Sequence, residues 1–150
     1  MYLLCFIFTL ICTFLSTNST LVNRNLTKQE LEDLEMTAME ECRIKFNIDE
    51  KIIDDYFNES TSLPVTQDFK CMLKCEDERL GYVNDQVINW DLMRVAQNIY
   101  YQDYDNVKKY VEVVDNCEKK GITENEDTCD ISFQITECFR KQYIEQGLQW

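Results

Sequence analysis

The placement of the cysteines constrains this chain more than any other feature. Eight occur in 150 residues, and they fall into two groups. Cys5 and Cys12 lie inside an uncharged apolar run, YLLCFIFTLICTFL, that is followed by the small polar stretch Ser16 to Thr20. This pattern reads as a secretory signal peptide over residues 1–19, cut near Ser19 with Thr17 and Ser19 at the recognition positions, although its start carries no Lys or Arg. The run has about 14 apolar residues, short of the ~20 that cross a bilayer. Cys42, Cys71, Cys75, Cys117, Cys129 and Cys138 remain in the domain of residues 20–150, and an even set in a secreted domain reads as three disulfides.

Helix geometry restricts how those six can pair. Cys71 and Cys75, four apart, share one face of a helix and reach different neighbours rather than each other. Cys129 and Cys138 are nine apart, which on a continuous helix separates them by ~13 Å along the axis and places them on nearly opposite faces, beyond disulfide reach. Of the 15 connectivities that six cysteines allow, about 10 survive these two exclusions.

The rest of the composition removes whole classes of function. There is no histidine, so Ser/His/Asp and Cys/His catalysis and the common zinc sets are absent. Three glycines, Gly81, Gly121 and Gly147, cannot build a phosphate-cradling loop or a nucleophile elbow. A net charge of −13 argues against nucleic acid, whose binding needs clustered Lys and Arg. Acidic pairs such as Glu40/Glu41 and Asp54/Asp55 are adjacent on helices, so their side chains diverge by about 100° and do not converge on a substrate. Nothing here points to an enzyme, a cofactor or a metal.

Apolar residues recur at helical spacing along the whole domain, with no strand-type alternation, no internal repeat and no linker. Thr27 with Glu30 forms a capping box before Leu31, Leu34, Ala38 and Cys42, a first helix that ends near Phe46. Asp49 caps a short second helix with Ile52, Ile53, Tyr56 and Phe57, and a third runs from Thr66 to Gly81. A fourth follows Asn89, a fifth follows Asp105 and ends at Gly121, and a sixth spans about Cys129 to Glu145 after the acidic loop Thr123 to Thr128. The expectation is one all-α domain of about six helices.

The run Cys42-x28-Cys71-x3-Cys75-x41-Cys117-x11-Cys129-x8-Cys138, on an acidic helical chain behind a signal peptide, resembles the six-cysteine insect odorant-binding proteins of the pheromone-binding and general-odorant-binding (PBP/GOBP) type. The x3 and x8 gaps are the invariable ones in that family, and the resemblance covers residues 26–150. It implies the bridges Cys42 to Cys75, Cys71 to Cys129 and Cys117 to Cys138, interlocked and each stabilising by roughly 3 to 4 kcal/mol on a chain-entropy model. It also implies six helices around an internal hydrophobic cavity, a secreted extracellular carrier of odorants, pheromones or other small hydrophobic ligands, and an odorant receptor or a homodimer as a further partner. Saliva, venom or reproductive fluid are other settings for such carriers. A disulfide-rich extracellular protein acting through surface protein contacts is the competing class.

On this reading the pocket lining comes from the apolar helix faces: Met39, Met72, Leu73, Met93, Ile99, Tyr100, Val114, Phe133, Ile135, Phe139 and Tyr143. Ordinary core is the plain alternative for each of them. Tyr100, Tyr110 and Tyr143 have hydroxyls to offer a ligand oxygen. After Cys138 the chain ends FRKQYIEQGLQW, a tail that in the family folds over or into the pocket mouth, with Gly147 as hinge and Leu148 and Trp150 as an apolar lid; the alternative is a frayed end. Without histidine, any acid-triggered release would use carboxylates, from Glu124, Glu126, Asp127 and Asp130 or from Glu76, Asp77 and Glu78, and solvated surface charge is the simpler reading of both clusters. The former lacks the glycine and terminal glutamate of an EF-hand. Asn25 and Asn58 begin glycosylation sequons, a motif short enough to arise by chance.

Overall fold

A computed structural model describes residue 22 and residues 25–58, 60–122 and 127–149. The expected signal peptide lies outside them, as do Glu124, Glu126 and Trp150. Six helices account for most of the described residues: α1 (Lys28–Lys45), α2 (Glu50–Phe57), α3 (Gln67–Leu80), α4 (Trp90–Tyr101), α5 (Val107–Lys119) and α6 (Thr128–Gln146).

Local chemistry sets the ends of these helices. At the start of α1, Thr27 Oγ1 accepts from the Glu30 N–H at 3.2 Å while the Glu30 carboxylate accepts from the Thr27 N–H at 2.8 Å, which satisfies two otherwise orphaned donors. Asp49, Thr66, Asn89 and Asp127 cap α2, α3, α4 and α6 in the simpler way. α5 begins later than the sequence suggests, at Val107 after Asn106, with no side-chain cap. α3 ends on Gly81 at φ 83°, and the Tyr82 N–H then donates to the Asp77 carbonyl at 2.8 Å, a Schellman closure that only a left-handed residue permits.

One element was not anticipated. Val83–Asn84 (β1) and Val87–Ile88 (β2) pair as a small antiparallel hairpin, Val83 opposite Ile88, with Asp85 at φ 54° in the two-residue turn. Two residues per strand are too few to show alternation in the sequence. The hairpin buries Val83 completely and fixes Tyr82 at the end of α3.

α3 packs against α6 and α1, α4 against α5 and α1, and α5 against α6. The main core gathers Leu31, Ala38, Leu80, Ile99, Val114 and Ile131 from α1, α3, α4, α5 and α6. A second core of Phe69, Met72 and Leu73 lies under α2, whose Ile52, Ile53 and Tyr56 cover it. Disulfides Cys42–Cys75, Cys71–Cys129 and Cys117–Cys138 join α1 to α3, α3 to α6 and α5 to α6. The Lys70–Asp130 ion pair, at 2.7 Å, reinforces the α3–α6 junction beside Cys71–Cys129. Buried Arg140 on α6 donates through Nη2 to the carbonyls of Asn58 and of Thr61, the latter at 2.8 Å, and so anchors the loop between α2 and α3.

Candidate functional site

Three helical stripes face one pocket of about 370 Å³. From α3 come Leu73, Glu76, Asp77 and Leu80, from α4 Met93, Ala96, Gln97, Tyr100 and Tyr101, and from α6 Ile135, Thr136, Phe139 and Tyr143. Each set follows the three- and four-residue steps of one helix face, which is how three short helices can present a continuous wall. Glu35 of α1, Tyr56 and Phe57 of α2, and Tyr82 complete the lining. An outer recess, about 420 Å³, is bounded by Glu32, Met36 and Met39 of α1 among others and shares Glu35, Tyr56, Phe57, Glu76 and Tyr100 with the pocket. Those five residues form the wall common to the two cavities.

Of the side chains expected to line a pocket, Leu73, Met93, Tyr100, Ile135, Phe139 and Tyr143 face it. Met39 belongs to the outer recess. Met72 is fully buried in the core beneath α2, Ile99 and Val114 are main-core residues, and Phe133 packs beside Met72 with the Lys70 ammonium 5.1 Å from its ring centre. These four are placed elsewhere because helical spacing alone does not say which part of an apolar face meets a neighbour and which meets a void.

The tyrosine hydroxyls are engaged with the protein. Tyr100 donates to Glu35, and Tyr143 donates to Gln97 Oε1 at 2.5 Å. Tyr110 does not reach the pocket: it is stacked on Tyr101, ring centres 3.4 Å apart, and set edge-on to Tyr143. Leu148 is likewise no lid. Gly147, at φ 63°, closes α6 with a Schellman turn in which the Leu148 N–H donates to the Tyr143 carbonyl at 2.9 Å, and Leu148 is then buried with Tyr110, Val113 and Tyr143. The tail supports the pocket wall from behind.

The two acidic clusters differ from each other. Of the first, Asp127 is exposed and caps α6, and Asp130 pairs with Lys70 at the surface. Glu76 and Asp77 are directed into the pocket, and only Glu78 of that trio is exposed. The signal for this was present: positions 73, 76, 77 and 80 form one face, and its two ends are leucines.

Across that face stands Glu35, whose carboxylate accepts from the Tyr82 hydroxyl at 2.5 Å and from Tyr100. Burial raises its pKa despite those two hydrogen bonds. Burial carries Glu76 well above the carboxylate range, with Asp77 and Glu35 adding to it. Asp77 is pushed up to about 7, chiefly by burial, with the Ser132 hydroxyl opposing and Glu35 and Glu78 adding. Asp77 Oδ2 and Ser132 Oγ, close enough to influence each other, make no hydrogen bond of ordinary geometry. Among the described residues, no Lys or Arg lines the pocket. Among the described residues no cluster of metal ligands occurs, and no helix is long and apolar enough to cross a membrane.

Comparison with known proteins gives a consistent result. The model of the PBP/GOBP family matches residues 24–142. General odorant-binding protein 2 of Bombyx mori is 25% identical over 117 residues, which is 74% of this chain and 71% of that protein. The solved structure of the odorant-binding protein dmelOBP28a from Drosophila melanogaster superposes with a TM-score of 0.64 at 18% identity, covering 81% of this chain and 98% of that one, and so shows a shared fold.

Proposed function

Because the chain belongs to the PBP/GOBP family, we propose that it is a secreted carrier that takes up small hydrophobic molecules, odorants or pheromones among them, in the pocket between α3, α4 and α6. The observation that carries this reading is the pocket itself: nine of its lining side chains are aliphatic or aromatic residues on the converging faces of those three helices, Leu73, Leu80, Met93, Ala96, Tyr100, Tyr101, Ile135, Phe139 and Tyr143. An apolar ligand gains about 25 cal/mol for each Å² withdrawn from water, so a molecule of ten or so carbons reaches micromolar affinity without a strong polar contact.

An unfilled pocket is costly to a small domain, on the order of 20 to 24 cal/mol per Å³ of cavity in core-truncation series. Three disulfides offset that cost by restricting the unfolded chain. The apolar leader at residues 2–15 supports export, and a net charge of −13 keeps the carrier dissolved and away from anionic membranes.

Displacement of a hydrophobic fluorescent probe by a panel of alcohols, esters, aldehydes and fatty acids tests the proposal. Saturable uptake with displacement is expected. A folded protein that takes up no probe would favour a role in surface contacts with other proteins.

A further inference from the structure

We propose that this pocket selects lipophilic amines, bound as ammonium ions, over neutral molecules of the same size. The inference rests on the carrier reading and deepens it by naming a ligand class. Three carboxyl groups, Glu35, Glu76 and Asp77, line a mostly apolar pocket, and among the described residues no basic side chain lines it with them. Asp77 Oδ2 is buried and, beside the Ser132 hydroxyl, makes no hydrogen bond of ordinary geometry, so the protein answers this acceptor through Ser132 alone.

The rings around these carboxyls supply the second half of an ammonium site. Tyr56, Phe57 and Tyr100 stand at the boundary shared with the outer recess, and Tyr101, Phe139 and Tyr143 lie within the pocket. Aromatic faces attract an alkylammonium through their quadrupoles, and do so most where water is excluded. A neutral alcohol gains neither that attraction nor a counter-charge.

Charged groups on every surrounding element have the same sense or are committed elsewhere. α1 adds Glu32 and Asp33 at the recess, α3 adds Glu78, and the tyrosines of α2, α4 and α6 that line the pocket, with Tyr82 after α3, have pKa values raised by burial and so stay neutral. Arg140 of α6, whose field reaches Tyr56, does not line the pocket and is held by the Asn58 and Thr61 carbonyls. Ammonium binding therefore requires ionised carboxylates whose protons are held tightly in the empty pocket, and it expels those protons. Affinity for an amine rises as pH increases through the raised carboxyl range, near 7 for Asp77, while the amine itself stays protonated to about pH 10. A neutral ligand that accepts a hydrogen bond from a protonated carboxyl has the opposite slope.

The test is displacement of a neutral fluorescent probe from the mature, disulfide-bonded protein by octylamine and by 1-octanol at pH 8 and pH 5. The expected result is octylamine acting at about one-tenth the concentration of 1-octanol at pH 8, with that preference shrinking at pH 5. Glu76→Gln and Asp77→Asn each bring the ratio towards one at pH 8, whereas Glu112→Gln, an exposed change on α5, keeps it and so separates the pocket from the general acidity of the surface. Equal or weaker displacement by octylamine at pH 8, or a preference unchanged at pH 5, overturns the inference without touching the carrier reading. Displacement by neither compound overturns the inference alone, whereas a folded protein that takes up no probe overturns the carrier reading and the inference with it. The wild-type pH comparison stands even where a variant fails to fold.

Discussion

Asp77 shows how one side chain can link the pocket to the stability of the fold. Its pKa is about 7 in the folded protein, mainly through burial, against an ordinary carboxylate value in the unfolded chain. Between those two values the folded state binds more protons than the unfolded state, so stability falls as pH rises through that window, with a slope on the order of 1.4 kcal/mol per pH unit per proton. Glu76 and Glu35 act with the same sign. Chemical denaturation at pH 4.5 and pH 8 should therefore find the protein more stable at the lower pH, and Asp77→Asn should flatten the difference chiefly by stabilising the protein at pH 8. A wild-type protein more stable at pH 8 would contradict this. The sequence alone made these acids look like solvated charge because residues 76–78 are consecutive acids, yet only the last of the three leaves the pocket face. Tyr82 and Gln97 were invisible for a related reason: their roles depend on hydrogen bonds to Glu35 and Tyr143, from residues distant in sequence.

At the level of elements, the disulfides divide the labour unequally. Cys71–Cys129 joins α3 to α6, two walls of the pocket, while Cys117–Cys138 joins α5 to α6 behind them. Replacing either pair with serines should cost roughly 3 kcal/mol or more by denaturant unfolding. Loss of the α3–α6 bridge should in addition weaken probe binding several-fold, and loss of the α5–α6 bridge should weaken it less. Equal effects on binding would mean that the bridges act only through global stability. The tail provides a second case. Deleting residues 147–150 removes Leu148 from its packing against Tyr143, so both stability, by about 2 kcal/mol, and probe affinity should fall, and an unchanged denaturation midpoint would mark this end as frayed. Helices were readable because apolar periodicity runs along each of them and caps mark several of their starts, Thr27 for α1, Asp49 for α2 and Thr66 for α3. The Val83–Ile88 hairpin and the inward turn of Leu148 were not, since both are fixed by tertiary contacts across a few residues rather than by a repeating pattern.

At the scale of the described molecule, three disulfides crosslink the helices, and α3, α4 and α6 line a pocket that is apolar in most of its wall and acidic at one face. Cysteine gaps carried most of the architecture, because interlocked bridges among α1, α3, α5 and α6 leave few ways to arrange the remaining helices. The location of the void was less legible: Met72, Val114 and Leu73 are all apolar residues on helix faces, and only Leu73 faces it. The central claim is that hydrophobic ligands enter this pocket rather than some other surface, and Ala96, a small and nearly inaccessible residue in its α4 wall, offers a direct test. Titration of a hydrophobic fluorescent probe into wild type and Ala96→Trp should show one site per chain in the wild type and at least tenfold weaker binding in the variant, with helical content retained. Equal affinity in a folded variant would contradict the account.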